Sequence, residues 1–467
     1  MITRAEFVLG SLAATAAAGV LRTPAFAAGF ETALDRYIAK PTPEYRFDLV
    51  KTITANGERT RVFSMVSQQW RSSREVDKPL WKHWLTITEP EQIKTSTCLL
   101  IVSGGSNTDA PPDKLDETVA EVATKTGAVI AELHGVPNQP LRFVDEHEPR
   151  SEDDIIAYSW NKYLRTGDET WPLRLPMTKS VVRAMDTITT LFNGAGGKPI
   201  VDRFIVGGTS KRGWTTWLTP AVDRRVVAIV PIVIDTLNME SSALHAYRAY
   251  GTWPEALEPY EKMGIMKWIG SPQFDSLVSI EDPYSYRDRI AIPKLIVNAT
   301  GDQYFAPDSS QFYYSGLVGE KYLRYVPNTD HSLKGATRSA AETGKAFVDS
   351  IIKDTPRPRY AWQIQRDGTI AVQSATKPFS AKLWQAYNPD ARDFRLETIG
   401  HGFFSSDLRD QGGFSYAGKA ARPTRGFSAY FIELAFMTAN SDVFTVTTSV
   451  RVTPDVLPFR PPQLAKR

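Results

Sequence analysis

Cys98 is the single cysteine among 467 residues, which excludes an intramolecular disulfide and any cysteine-rich zinc site. It sits in the apolar run "STCLLIVSGG" and reads as a small core residue. Histidine is scarce, with six, and no pair has the spacing of zinc ligands, so no metal is expected. No organic cofactor is implied either. Neither sign of charge dominates: the balance is +3, which points away from nucleic acid or another polyanion as partner. No apolar run past the N-terminal stretch has the length of a membrane helix, so the mature chain is expected to carry no transmembrane segment. What remains is ordinary globular composition, 42% hydrophobic and 23% charged, in a chain long enough for two or three domains.

The N-terminus, "MITRAEFVLGSLAATAAAGVLRTPAFA", has the parts of an export signal. A basic residue precedes an alanine- and leucine-rich stretch, and Ala25-Phe26-Ala27 forms a small-x-small cleavage pattern. "TRAEFVL" resembles the twin-arginine export pattern with Ala5 in place of the second arginine. Residues 1–27 are therefore read as a signal peptide, and the mature protein as periplasmic or secreted.

Downstream, two strand-like runs flank Asn56-Gly57, a strong hairpin signal. "CLLIVSGGSN" (98–107) reads as a buried parallel strand. Strand-like and helix-like runs then alternate through "AVIAEL", "TKSVVRAMDTITTLFN", "VDRFIVGG", "VVAIVPIVI", "KLIVNATGD" and the helix at 339–354. Repeated strand–helix units predict a mostly parallel sheet covered on both faces, an α/β fold over residues 28–355. Residues 236–292 interrupt the series with an aromatic-rich segment too long for a simple loop, and a helical cap is expected there. It holds Tyr247, Tyr250, Trp253, Tyr260 and Trp268. As a cap it would overhang the sheet and narrow the substrate entrance; Trp253 is assigned to the pocket wall. After "TPRPRY" (355–360), short strands separated by turns predict a β-sandwich over 356–467.

The turn "IVGGTSKRGWTTW" (205–217) admits two readings. Gly208 and Gly213 open a phosphate-loop pattern, but Trp214 stands where that pattern needs a lysine. The alternative is a nucleophile elbow with Ser210 at its apex, flanked by glycines because strand and helix pass close together. Gly213 comes one position later than in G-x-S-x-G. A nucleophilic serine needs a base and an acid to orient that base, in the chain order serine, acid, histidine, each after a strand. Asp302 in "KLIVNATGDQYFAPDSS" and His331 in "YLRYVPNTDHSL" meet that requirement. Asp235 is a rival acid from the preceding strand, and Asp308 and Asp330 read as solvated or capping carboxylates. His134, His147, His245 and His401 lack the context of a strand followed by the final helix. Backbone N–H groups of Lys211 and of the "SGGSN" loop, at Gly105 and Ser106, are the candidate oxyanion donors. Lys211 and Arg212 either face solvent or meet an anionic group of the substrate, since cations there oppose the helix dipole. Glu152 and Asp153 in "SEDDII" either enrich a helix N-terminus in acid or hold a substrate ammonium.

The stretches "VPNQPLRF", "EDDIIAYSWNKYL", "RLPMTKSVVRAMDT", "GGTSKRGWTTW", "VNATGDQYFAPDSS" and "VPNTDHSL" together resemble the PhoPQ-activated pathogenicity-related protein family, from about residue 36 onward. The resemblance implies an α/β-hydrolase domain with Ser210, Asp302 and His331 at the triad positions. It also implies export and a link to envelope stress or virulence, with no settled substrate. Similarity to the autocrine proliferation repressor of social amoebae implies dipeptidyl-peptidase-like activity. The late Gly213 is similar to the elbow of glucuronoyl esterases (G-C-S-R-x-G-K), from which Trp214 departs. The implied partner is thus a small-molecule, peptide or carbohydrate-ester substrate.

Overall fold

The computed structural model describes residues 31–464 apart from 56, 57, 115, 116 and 198. The signal-peptide reading and the Asn56-Gly57 turn lie outside the described residues. The strands that flank the turn, β1 (Arg46–Ala55) and β2 (Glu58–Gln69), pair antiparallel with Ala55 opposite Glu58.

Seven more strands complete a nine-stranded sheet: β3 (Leu80–Glu89), β4 (Thr97–Val102), β5 (Ile130–Leu133), β6 (Arg203–Thr209), β7 (Val226–Ile232), β8 (Lys294–Ala299) and β9 (Lys321–Val326). Their order is β1-β2-β3-β5-β4-β6-β7-β8-β9. From β5 through β9 all neighbours run parallel. Helices shield both faces, so the central strands can be continuous apolar runs, and every residue of β8 is buried. Helices 33–39, 174–191 and 211–222 pack together on one face. Helices 117–126 and 337–352 cover the other, where Phe347 meets Val230 and Leu295 in a common core.

The exchange of β4 and β5 in the sheet order, with helical crossovers between parallel neighbours, is the α/β-hydrolase arrangement. The insertion between β7 and β8 is helical, with helices at 239–250, 258–262 and 272–281 joined by shorter turns. Its aromatics are largely packed inward: Tyr260 is buried, and Tyr247 lies against Trp253 with ring centroids 4.7 Å apart.

The C-terminal segment adds β10 (Tyr360–Ile364), β11 (Ile370–Ser374), β12 (Ser380–Asn388), β13 (Phe404–Asp407), β14 (Ser415–Gly418), β15 (Phe427–Met437), β16 (Val443–Thr447) and β17 (Arg451–Thr453). These form two antiparallel sheets, β10-β11-β14 and β13-β12-β15-β16, with β17 also on β15. Ile370, Val372, Leu383 and Ile432 fill the space between them. The same core continues into the hydrolase sheet through Leu295 and Tyr322. A hydrogen bond from Tyr325 N–H to Thr447 Oγ1 (3.0 Å) ties β9 to β16. From Thr32 onward the described residues form one compact unit.

Candidate active site

Ser210 stands between β6 and the helix Lys211–Val222 with φ 55° and ψ −127°. That conformation strains a non-glycine residue by about 1–3 kcal/mol and persists only where its surroundings enforce it. The enforcement is visible. Ser210 N–H donates to Ile232 O on β7 (2.8 Å), and the helix begins at once with Trp214 N–H donating to Ser210 O (2.9 Å).

The two glycines are steric requirements. A Cβ at Gly208 would lie 2.8 Å from Arg212 O, and one at Gly213 would lie 2.9 Å from Gly208 O and 3.0 Å from Ile232 O. Because the clash at position 213 is with backbone on both sides, no rotamer change relieves it. Gly213→Ala is therefore expected to destabilise the fold by about 1–3 kcal/mol, read from the urea midpoint.

Beyond the elbow, the loops after β8 and β9 converge on Ser210. His331 Nε2 and Ser210 Oγ are 2.8 Å apart, and His331 Nδ1 and Asp302 Oδ2 are also 2.8 Å apart. Asp302 is buried, and its other oxygen accepts from Tyr304 N–H (2.8 Å). The carboxylate is thereby fixed, and so is the imidazole. The rival Asp235 is elsewhere occupied: it accepts from the Tyr313 and Tyr325 hydroxyls at 2.7 and 2.6 Å. Burial pushes its carboxyl up to about 7 against those two hydrogen bonds. Asp308 is not solvated but buried, bonded to His245 Nε2 (2.9 Å) and Arg392 (2.7 Å). Burial opposes its ionisation, but the charges of Arg392 and His245 hold the carboxyl below its ordinary range. This group pins the helix 239–250 of the insertion to the loop that carries Asp302.

The oxyanion donors divide. Among the described residues Lys211 N–H, at the first position of the helix, meets no backbone acceptor, and neither does Gly105 N–H. Ser106 is a correction: its N–H donates to Asp109 Oδ2 (2.6 Å) and is not open to a substrate oxygen. The first-turn cations do not face solvent. Lys211 Nζ lies 2.6 Å from Glu152 and 3.0 Å from Asp153, and Arg212 meets Glu152 through two hydrogen bonds of 2.8 and 2.6 Å. Two cations buried at a helix N-terminus need opposite charges. The start of the helix Asp153–Thr166 supplies them, so all four groups answer one another instead of a substrate charge. Trp253 packs on Tyr247 and is not among the residues that line the cavity walled by Tyr304 and Phe305.

Burial works against ionisation of Glu152, but the hydrogen bond from Arg212 and the charges of Lys211 and Arg212 hold its carboxyl at about 2, below the usual 4.5. A depressed folded-state value adds stability above the unfolded value, and that stability is lost as pH falls through the folded one. The stability gap between wild type and Glu152→Gln is thus expected to narrow between pH 4.5 and 2, as measured by urea unfolding at several pH values. A gap that stays constant would show that the pair contributes nothing.

Three residues immediately after Asp302 also build the site. Gln303 Oε1 accepts from His331 N–H (2.9 Å), while the Tyr304 and Phe305 rings lie 4.4 and 6.0 Å from the imidazole. Their adjacency to Asp302 was the available signal. His83 forms a second serine–histidine pair with Ser67 (2.9 Å), but it is buried, and burial pushes its imidazole down to about 4. Its other nitrogen meets the His134 carbonyl rather than a carboxylate.

Autocrine proliferation repressor protein A of Dictyostelium discoideum is 35% identical over 457 residues, which cover 92% of each chain. Among solved structures, acetyl xylan esterase 1 from Thermoanaerobacterium sp. JW/SL YS485 is similar at 14% identity and a TM-score of 0.46. That likeness covers 67% of this chain and 92% of the esterase. An acetyl xylan esterase from Paenibacillus sp. R4 gives the same identity and TM-score over 69% and 92%. The family model for PhoPQ-activated pathogenicity-related proteins matches residues 34–395, and the chain belongs to that family.

Proposed function

We propose that the protein is an exported serine hydrolase that cleaves an ester or amide bond, with Ser210 as nucleophile. The observation that carries this reading is the unbroken hydrogen-bonded line from Ser210 Oγ through the His331 ring to Asp302. In the reaction, His331 Nε2 takes the Ser210 proton as Oγ attacks the carbonyl carbon. The negative charge that develops on the carbonyl oxygen meets the N–H groups of Lys211 and Gly105 and the positive end of the helix that Lys211 begins. His331 then gives its proton to the departing alcohol or amine. Water, deprotonated by the same nitrogen, attacks the acyl-enzyme and releases the acid and free Ser210. Asp302 stays ionised throughout, holds Nδ1–H and stabilises the imidazolium. No step calls for a metal or organic cofactor.

Glu152 and Asp153 are already ion-paired, so a substrate ammonium would find no free carboxylate there. This weighs against a dipeptidyl-peptidase specificity held by those two residues. It weighs equally against Lys211 or Arg212 holding an acidic sugar.

Treatment with a fluorophosphonate probe, followed by peptide mass spectrometry, is expected to place the adduct on Ser210. An adduct on another serine would overturn the assignment. No adduct at all would favour a signalling or binding protein that keeps the hydrolase fold. Among the described residues no helix is long and apolar enough to cross a membrane. Export itself is tested by cell fractionation and N-terminal sequencing, with mature protein beginning near Ala28 as the expected result.

A further inference from the structure

Next to Tyr304 and Phe305, between the helical insertion 236–292 (the lid) and the helix Asp153–Thr166, lies a cavity of about 70 Å³. Met239, Ala246, Met266 and Phe274 of the lid line it, together with Tyr304 and Phe305. We infer that the substrate carries a short apolar group of about three heavy atoms next to its reacting carbonyl, and that this lid cavity receives it. The inference rests on the reading of Ser210 as nucleophile.

Position is the first argument. Tyr304 and Phe305 form the cavity wall and also the rings against His331. A carbonyl poised for attack sits about 3–3.5 Å from the nucleophile, and Ser210 Oγ is 2.8 Å from His331 Nε2. Tyr304 and Phe305 thus link the cavity wall to the surroundings of the catalytic imidazole.

Chemistry is the second. Three hydroxyls of the wall are already committed within the protein: Ser242 donates to Leu237 O, Ser309 to Ala306 O and Tyr260 to Asp153. Thr236, Tyr304 and Trp160 are the other polar side chains in a lining that is otherwise apolar. A polar group entering the cavity would lose its water and find few partners.

Size is the third. A cavity of about 150 Å³ holds a benzene ring of six heavy atoms, so one of about 70 Å³ holds about three. It cannot widen freely. His245 on the helix 239–250 is tied to Asp308 and Arg392, and the N–H of Met239 at the start of that helix donates to Asp282 (2.7 Å). Longer chains must therefore leave through the cavity's open side or displace the lid.

The test measures kcat/KM for two series of esters, p-nitrophenyl esters from acetate to decanoate and acetates of primary alcohols of increasing length. In one series kcat/KM should rise about fourfold per methylene up to about three or four carbons and rise no further up to ten. Ala246→Phe, which fills the cavity, should abolish most of that rise. Met266→Ala, which enlarges it and removes no buried charge pair, should move the end of the rise one or two carbons longer. A flat profile in both series, or an end of the rise that Met266→Ala does not move, would overturn the inference while Ser210 still takes the fluorophosphonate label. Absence of that label together with absence of all ester turnover would instead bring down the nucleophile reading, and this inference with it.

Discussion

Replacing Ser210 by alanine is expected to lower kcat by about 10⁶-fold, close to the loss seen when a triad nucleophile is removed from a serine hydrolase. The residual rate should come from the oxyanion donors and substrate binding alone. Folding should survive, because the elbow is held by backbone: Ser210 N–H to Ile232 O, Trp214 N–H to Ser210 O, and the close approach at Gly208 and Gly213. Ser210→Gly makes the point sharper. Glycine adopts positive φ without penalty, so this variant should be equally inactive yet more stable than Ser210→Ala by about 1 kcal/mol. Rates on p-nitrophenyl butyrate and urea midpoints of the three proteins decide the matter. Alanine retaining more than about a hundredth of the rate would mean that another group does the chemistry.

Asp302→Asn should lower kcat by about 10⁴-fold with little change in KM. Asparagine keeps the shape and accepts one hydrogen bond, but it can present its amide N–H to His331 Nδ1. The ring then takes the wrong tautomer, and Nε2 can no longer accept the Ser210 proton. Asp235→Asn is the matched control. Its carboxylate accepts from Tyr313 and Tyr325 and does not touch His331, so most of the activity should remain. Reversed outcomes would place the acid on the earlier strand.

Much of this architecture is legible in the chain itself. The apolar runs at β4, β6, β7 and β8, each ending at glycine or a polar residue, determine a parallel sheet, because only strands buried on both faces can be apolar throughout. The order of Ser210, Asp302 and His331, each beyond a strand, follows from the same pattern: parallel strands all end on one edge, so loops after them must meet there. Glycines at 208 and 213 state the tight strand-to-helix passage in advance. Charge pairing and cavity lining are not legible in this way. Nothing local tells Lys211 that Glu152, 59 positions earlier, will neutralise it. Nor does local sequence show that Ser106 N–H will turn to Asp109, or that Trp253 will pack on Tyr247 and leave Tyr304 and Phe305 to line the pocket. Periodicity reports which residues are buried and on which face. Which buried groups meet is decided by how distant elements pack, and only the tertiary structure brings the helix 153–166, the lid and the loop after β8 to the same few ångströms.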